Sequence, residues 1–308
     1  MAKTSGTDGS VLPDVLVSTG WLADHLADPR LRVLDIRGYV RTEDLGGGRQ
    51  AAAYLAARDE YDAGHIPGAG FVDWTVDITD PEDPVKVQLA PPARFAATMS
   101  RLGIGDDTDV VAVDHTGGHF ATRLWWALRA MGHERCAVLD GGWTRWAAEG
   151  RPVSVEVPSL APTPFTPRPR PALRVTAEEI AAGLGRDDRL LVDARDPGQY
   201  TGAVVRGSRG GHIPGAVNIP TRTLVNADGT WKSVEELRQT LAAGGVRDGQ
   251  PVAAYCNGGV TATAVLFALH RVGRTDDANY DGSWNEWGER PDLPAEGGPG
   301  TSPAGREE

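Results

Sequence analysis

The sequence predicts an α/β protein of two similar domains, each with a mainly parallel sheet flanked by helices on both faces. Short apolar runs alternate with helix-like segments, the pattern of strands joined by crossover helices. One set of motifs occurs twice in the same order, which indicates an internal repeat. The chain has 308 residues, enough for two domains of ordinary size.

Four motifs mark the repeat, and each occurs once in either half. The first half contains Asp35-Ile-Arg37, Gly64-His-Ile-Pro-Gly-Ala69, His115-Thr-Gly-Gly118 and Asp140-Gly-Gly-Trp143. The second half contains Asp193-Ala-Arg195, Gly211-His-Ile-Pro-Gly-Ala216, Cys256-Asn-Gly-Gly259 and Asp281-Gly-Ser-Trp284. The step from His115 to Asp140 equals that from Cys256 to Asp281. We therefore predict an N-terminal domain over 11–150 and a C-terminal domain over 172–294.

The segments outside these domains have distinctive compositions. Residues 151–171 are too rich in proline for a helix or a central strand, which predicts an extended linker. Residues 295–308 are rich in Gly, Pro and Glu, which predicts a disordered tail. The glycines at 46–48 lie in a segment, 39–60, that the second copy partly lacks. They lack the Lys-Ser/Thr of a phosphate loop, so we predict a mobile surface excursion.

Six segments have the pattern of helices in this scheme: 18–26, 92–102, 122–131, 177–184, 234–243 and 262–272. Strands alternating with such helices form a mainly parallel sheet. Ligands of such sheets bind beyond the carboxyl ends of the strands.

Cys256 lies at such an end, between an apolar run that ends at Tyr255 and the helix predicted from Ala262. Unpaired N–H groups and the helix dipole favour a thiolate there, and the thiolate is the nucleophilic form. Glycines allow the backbone to curl around the sulfur. We predict Cys256 as the catalytic residue, in an active-site loop of Asn257, Gly258, Gly259, Val260 and Thr261. Cys136 has no flanking glycine and is predicted to be inert core.

Composition excludes several other classes of protein. The net charge of -11 argues against a general nucleic-acid binder. No apolar run approaches the ~20 residues of a membrane span, and residues 1–10 lack the apolar core of a signal peptide, so we expect a cytoplasmic protein without a membrane partner. Two cysteines are not a disulfide framework. No Cys or His spacing suits a metal, and we expect neither metal nor cofactor.

With these motifs the chain resembles the tandem-domain rhodanese sulfurtransferases, the thiosulfate and 3-mercaptopyruvate sulfurtransferase type, over roughly residues 11–293. The resemblance implies that the thiolate of Cys256 takes a sulfane sulfur from a small donor as a persulfide. It then passes the sulfur to a thiol, cyanide or a thioredoxin-like acceptor. The implied site lies in the C-terminal domain at the domain interface. Because His115 replaces the cysteine in the first copy, and imidazole cannot carry a persulfide, we expect that copy to be inactive.

The loop residues bear on the donor. In thiosulfate-preferring members the two residues after the cysteine resemble Arg and Lys, and in mercaptopyruvate-preferring members they resemble Gly and Ser. Asn257 and Gly258 are neutral and match neither type, but they are closer to the second, so the resemblance favours 3-mercaptopyruvate. Gln199 stands where the family tends to carry a donor-binding arginine. We expect Arg206 or Arg209 to replace it, with Arg195 ranked last because it should pair with Asp193.

Two further residues are candidates for the site. Trp284 follows the last strand and would form a wall of the sulfur pocket, and His65 is a candidate proton carrier. An alternative function is a sulfur-carrier or redox-sensing module without turnover. A cysteine phosphatase would need an arginine six residues after the cysteine, where this chain has Ala262.

Overall fold

The computed structural model describes residues 9–297. Most of the predicted tail, residues 298–308, and most of the polar N-terminus lie outside the described residues. Glu296 exchanges two backbone hydrogen bonds with His212, at 2.9 and 3.0 Å. Residues 295–297 therefore extend the second copy, whereas disorder was predicted from composition.

The first copy follows the predicted alternation of strands and helices. Its elements are β1 (Leu16–Val17), α1 (Thr19–His25), β2 (Leu31–Asp35), β3 (Gly38–Gly46), β4 (Arg49–Ala56), α2 (Arg58–Ala63), β5 (Gly70–Phe71), α3 (Pro92–Arg101), β6 (Asp109–Val113), α4 (Ala121–Ala130), β7 (Cys136–Leu139) and α5 (Gly142–Ala148). Five strands form a parallel sheet in the order β1-β7-β6-β2-β5.

The second copy repeats this topology. Its elements are β8 (Arg174–Val175), α6 (Ala177–Gly183), β9 (Leu190–Asp193), α7 (Pro197–Tyr200), β10 (Val217–Asn218), α8 (Val234–Ala243), β11 (Val252–Tyr255), α9 (Ala262–Arg271), β12 (Ala278–Tyr280) and α10 (Ser283–Trp287). The parallel sheet has the order β10-β9-β11-β12-β8, the first sheet's order read from its other edge. The six predicted helices are confirmed to within two residues at each end.

Both faces of each sheet are covered because successive strand residues point to opposite sides. In β6, Val110 and Ala112 belong to one buried cluster, and Val111 and Val113 belong to another. The first cluster continues from α4 into α9, so one hydrophobic core spans both copies. None of the helices within residues 9–297 is long and apolar enough to cross a membrane.

The interface between the copies is built around an approximate two-fold relationship. The hydroxyls of Thr122 and Thr263, which occupy equivalent positions in α4 and α9, lie 3.0 Å apart. The carboxylate that follows the last strand of either sheet accepts an N–H from the other copy at 2.8 Å. Asp140 accepts from Trp231, and Asp281 accepts from Leu89. The copies are therefore joined by exchanged polar contacts as well as by apolar packing.

The proline-rich linker follows the surface of the first copy. Arg168 donates its N–H to Met131 at 2.8 Å, and Thr163 donates to Ser100 at 3.1 Å. The side chain of Phe165 is buried against Phe95. Backbone and side-chain contacts thus hold this extended segment on the domain that precedes it.

The segment predicted as a mobile excursion is an antiparallel hairpin of β3 and β4. Gly46, Gly47 and Gly48 adopt φ values of 80, 62 and 78°, which a tight reversal requires and which side chains disfavour. Beyond the turn, the hairpin reaches the second copy. Gln50 donates its N–H to Val205, and Val205 donates to Gly48, both at 2.8 Å.

Candidate active site

Cys256 follows β11 directly and is 3% exposed. The start of α10 fixes its loop by backbone contacts. The N–H of Cys256 donates to Ser283 Oγ at 3.1 Å, and its carbonyl accepts from Trp284 at 3.1 Å. Asn285 donates to the carbonyl of Asn257 at 2.7 Å. The loop geometry is therefore set by three consecutive residues of a neighbouring helix.

The equivalent loop of the first copy encloses a carboxylate. Asp114 precedes His115, and its Oδ1 accepts the N–H groups of Thr116 and Gly118, both at 3.0 Å. Its Oδ2 accepts from Phe120 at 2.7 Å and from Ala121 at 3.0 Å. Four converging N–H groups make this loop an anion-binding nest.

The second copy has the same loop without the carboxylate. Tyr255 takes the position of Asp114, and its hydroxyl accepts the N–H of Ile213 instead, at 3.1 Å. Within residues 9–297, the four equivalent N–H groups donate to no oxygen or nitrogen of the protein; they belong to Asn257, Gly259, Thr261 and Ala262. The loop around Cys256 thus has donors free for an anionic sulfur.

The first copy packs directly on this loop through Val87. A Cβ on Gly258 would lie 2.4 Å from Val87 Cγ2, so glycine is required by the close approach. Val87 itself has a φ of 62°, where its counterpart in the second copy is Gly229 with a φ of 79°. A β-branched residue in this region is strained. The strained valine therefore excludes larger side chains from position 258.

A buried ion pair ties the loop to the first copy. The guanidinium of Arg123 pairs with Asp281, and both side chains are at most 1% exposed. Arg123 also donates to the carbonyls of Gly259 at 3.2 Å and Val87 at 3.0 Å. One arginine thus fixes both sides of the contact between the copies.

A cavity of about 190 Å³ opens over Cys256. The hairpin and the His115 loop of the first copy form one wall, and the second copy forms the rest. The lining residues are Val40, Tyr54, His119, Ala194, Arg195, Asp196, Gln199, Arg206, Thr221, Cys256, Asn257, Gly258, Val260 and Thr261. A larger groove of about 710 Å³ beside α6 has neither cysteine nor histidine among its lining residues, so volume does not identify the site.

Arg206 is brought to this cavity by the hairpin. Its Nε donates to Gln50 Oε1 at 3.2 Å, next to the backbone bonds that join β4 to Val205. Burial lowers the pKa of Arg206, although it stays far above neutrality as arginines do. A half-buried cation therefore faces the nucleophile.

The guanidinium groups of the other two candidate arginines, Arg209 and Arg195, already have partners within the protein. Arg209 donates to the carbonyls of Trp287 at 2.8 Å and Arg290 at 2.9 Å, and it is not among the residues that line the cavity in the described chain. Arg195 lines the cavity, but its guanidinium pairs with Asp193 at 2.6 Å and lies 4.5 Å from the Trp284 ring centroid.

The first copy contains the same arrangement, with Arg37 on Asp35 and 4.5 Å from the Trp143 ring. This unit is present in both copies, whereas the loop cysteine is present in one, which favours a structural role for the unit. Trp284 accordingly lies against Arg195 and is absent from the described cavity lining, although it was expected to be a wall. Gln199 does line the cavity, where its Oε1 accepts from Asn257 Nδ2 at 2.9 Å.

His65 does not reach the cavity in the described chain. Its Nδ1 lies 2.8 Å from the carbonyl of Tyr61, and its Nε2 lies 3.1 Å from the carbonyl of Glu156. The ring stacks on Tyr61, as His212 stacks on Tyr200 in the second copy. In both copies the histidine of the Gly-His-Ile-Pro-Gly turn thus contacts a backbone carbonyl and a tyrosine ring.

Sequence reasoning missed two polar residues of the first copy that line the cavity. The Tyr54 hydroxyl accepts from Asn285 Nδ2 at 3.1 Å, and burial raises the pKa of Tyr54. The alignment of the two copies pairs His119 with Val260 of the active-site loop. This was the available signal for His119, because equivalent loops of two domains related by a two-fold axis can face each other.

The fold and the site define a tandem α/β protein with one cysteine in a loop of N–H groups that are unpaired within residues 9–297, at a cavity between its two halves. A model of the rhodanese-like domain matches residues 18–149 and 176–290, and the chain belongs to this family.

Similar proteins agree with this assignment. The chain is 36% identical to the sulfur carrier protein TtuD of Thermus thermophilus, over 93% of this chain and 98% of TtuD. It is 38% identical to the thiosulfate sulfurtransferase of Rattus norvegicus, over 90% of this chain and 93% of that protein. The crystal structure of SseA from Escherichia coli, described as a 3-mercaptopyruvate sulfotransferase, matches with a TM-score of 0.78 at 31% identity, covering 88% of this chain and 98% of SseA. The chain is thus a member of the sulfurtransferase family, whose substrates are a sulfur donor and a sulfur acceptor.

Proposed function

We propose that this protein transfers sulfane sulfur through a persulfide on Cys256, and that 3-mercaptopyruvate is its preferred donor. The observation that carries the proposal is the comparison of the two loops. The first binds the carboxylate of Asp114 with four N–H groups, and the second offers equivalent groups around Cys256. A persulfide anion fits donors of this kind.

The reaction has two halves. The Cys256 thiolate attacks the donor's sulfur, the carbon–sulfur bond breaks, and the electron pair leaves on carbon, which becomes pyruvate after protonation. A nucleophilic acceptor then attacks the outer sulfur of the persulfide and releases the Cys256 thiolate. Cyanide, a small thiol or a thioredoxin-like protein would serve as acceptor. Such ping-pong kinetics are the signature of covalent catalysis.

The charges around the cavity favour a carboxylate donor. Asn257 and Gly258 bring no positive charge to the loop, and Val87 leaves no room for a longer side chain at 258. Arg206 is the cavity cation whose guanidinium has no carboxylate partner within residues 9–297. A guanidinium suits a carboxylate because it binds both oxygens. Arg206 would therefore hold the carboxylate of 3-mercaptopyruvate over Cys256.

Steady-state assays with 3-mercaptopyruvate and with thiosulfate test the proposal, with cyanide as the common acceptor. We expect a higher kcat/KM with 3-mercaptopyruvate, and one added sulfur atom on the Cys256 peptide by mass spectrometry. A tenfold preference for thiosulfate, about 1.4 kcal/mol, would show that loop charge does not select the donor. No added sulfur with either donor would refute the persulfide.

A second candidate is a sulfur carrier that is charged by a donor and discharged only to a protein. The 36% identity to the sulfur carrier TtuD favours it. A carrier would accept one sulfur per chain and release it slowly to cyanide or to small thiols. Multiple turnovers with these small acceptors would instead support the sulfurtransferase.

A further inference from the structure

His119 belongs to the first copy, which has no cysteine in the loop equivalent to that of Cys256, yet it lines the Cys256 cavity. Its Nε2 is shielded from solvent and has no hydrogen-bond partner in the described chain. Buried side-chain nitrogens are nearly always bonded, so an unpartnered one on a residue that lines the cavity calls for an explanation. Burial lowers the pKa of His119 and outweighs the opposing charges of Asp114 and Asp196, which leaves a neutral imidazole at pH 7.

The proposed reaction contains a proton that must move. In 3-mercaptopyruvate the sulfur carries hydrogen, and attack by Cys256 leaves that proton on the transferred sulfur. The electron pair of the broken carbon–sulfur bond resides on the pyruvate enolate, whose methylene carbon needs a proton. Thiosulfate differs, because its sulfur–sulfur bond breaks with the pair on sulfite and no proton is transferred. A proton carrier is therefore needed for one donor only.

Few groups in the cavity can carry this proton. Its titratable side chains are Tyr54, His119, Arg195, Asp196, Arg206 and Cys256. Burial raises the pKa of Tyr54, which makes it a poorer acid. The carboxylate of Asp196 pairs with Arg222 and is 65% exposed, and arginines stay charged. Cys256 is the nucleophile, which leaves the imidazole of His119.

We propose that His119 is a catalytic residue for thiol donors, which carries the proton from the transferred sulfur to the leaving carbon. The inference rests on the sulfur transfer proposed above. The neutral ring accepts the proton of the newly formed Cys–S–SH group and becomes imidazolium. It then gives the proton to the methylene carbon of the enolate, which yields pyruvate, the Cys256 persulfide anion and neutral His119. The copy without the cysteine thus supplies a group for the chemistry of the other.

Single-turnover measurements on the full chain test the assignment. His119→Phe fills the same space without a proton, and His119→Gln keeps hydrogen bonding without titrating near neutrality. His115→Gln is the matched control, because His115 lies in the same loop but is not among the cavity-lining residues. Pyruvate release from 3-mercaptopyruvate and sulfite release from thiosulfate report the two donor reactions, with enzyme in excess.

We expect both His119 variants to slow pyruvate release by about 100-fold or more, the usual size of general acid–base catalysis, and sulfite release by less than about threefold. Equal losses with both donors, or no loss, would overturn the assignment. If the wild-type protein takes sulfur from thiosulfate but not from 3-mercaptopyruvate, the proposed Cys256 persulfide is retained. The role proposed for His119 is then overturned, because the reaction that needs its proton does not occur. Failure of the wild type with both donors would refute the proposed function itself, and the inference with it.

Discussion

The two loops that follow β6 and β11 share a backbone shape and differ in what they enclose. In the first copy the loop surrounds the carboxylate of Asp114, a fixed part of the fold. In the second copy Tyr255 takes that position, and Cys256 follows at the mouth of a cavity. The loop of the first copy binds a carboxylate of the protein itself, whereas the equivalent N–H groups of the second copy have no protein acceptor among the described residues.

The first copy nevertheless contributes to the site of the second. Its hairpin holds Arg206, its strained Val87 packs on Gly258, and its Arg123 binds the Gly259 carbonyl. The first copy, whose loop has histidine at the position of Cys256, thus forms one wall of the cavity. Through His119 it also supplies the proposed proton carrier.

The largest expected effect concerns the cysteine that distinguishes the loops. Cys256→Ser should lower sulfur transfer at least about 1,000-fold, as loss of a covalent nucleophile does. Cys136→Ser is the matched control, since Cys136 is buried in β7 and burial raises the pKa of its thiol well above the usual range. Full activity in Cys256→Ser, measured by thiocyanate formation from cyanide, would overturn the mechanism.

The same comparison can be tested from the other side. In the Cys256→Ser background, His115→Cys should restore no activity, because the carboxylate of Asp114 occupies the N–H groups that a sulfur anion needs. Appreciable transfer by this double variant would show that the nest does not decide which copy is active.

The next effect is on stability and concerns the Arg123–Asp281 ion pair between the copies, in which the arginine comes from the first copy. Position 123 carries arginine in the first copy, and its counterpart in the second is Ala264. Arg123→Met should lower the free energy of unfolding by about 3–5 kcal/mol, because the buried charge of Asp281 loses its main partner. The control Arg101→Met removes an exposed pair with Asp77 and should cost at most about 1 kcal/mol. Similar losses in denaturant titrations would contradict this account.

The two loop arginines provide a smaller contrast. Arg206→Ala should lower kcat/KM for 3-mercaptopyruvate. The loss should correspond to about 1.5–3 kcal/mol of transition-state stabilisation, the size of a charged hydrogen bond. Arg209→Ala should have little effect on kcat/KM, because its guanidinium bonds to backbone carbonyls away from the cavity lining. If Arg209→Ala lost more activity than Arg206→Ala with the fold intact, the anchor would be misassigned.

The smallest effect is a coupling between the copies at Val87 and Gly258. Gly258→Ser should be destabilised by the contact with Val87 Cγ2, and Val87→Ala should relieve it. A double-mutant cycle should give a coupling of about 1–2 kcal/mol in the free energy of unfolding. Gly183→Ser, at a glycine with no atom within 4 Å of an added Cβ, is the control. If the changes in unfolding free energy at 87 and 258 are additive, the loop moves to avoid the contact and the coupling is absent.

The sequence predicted the elements that depend on local patterns. The repeated motifs located both copies, and the six main helices were predicted as the segments that alternate with short apolar runs. It also predicted the pairing of Arg195 with Asp193, since a strand-end carboxylate is within reach of the residue two positions on.

Features that depend on contacts between the copies were not predictable in the same way. The β4 strand reads Arg-Gln-Ala-Ala-Ala-Tyr-Leu-Ala, and alanine favours helix in isolation. Its strand geometry comes from pairing with β3, and the contact of its turn with Val205 involves a distant segment. His119 and Tyr54 likewise reach the cavity only because the halves pack together. No local pattern encodes this packing, and only the alignment of the two copies, which pairs His119 with Val260, pointed to His119.

The exchanged aspartates have a consequence for the linker. Asp140 accepts an N–H from the second copy and Asp281 from the first, while one apolar core continues through α4 and α9. We therefore expect the halves to unfold together, with the contacts of residues 151–171 adding to the stability of the first copy. A protease that nicked this segment would leave two fragments bound as one particle, melting in a single transition.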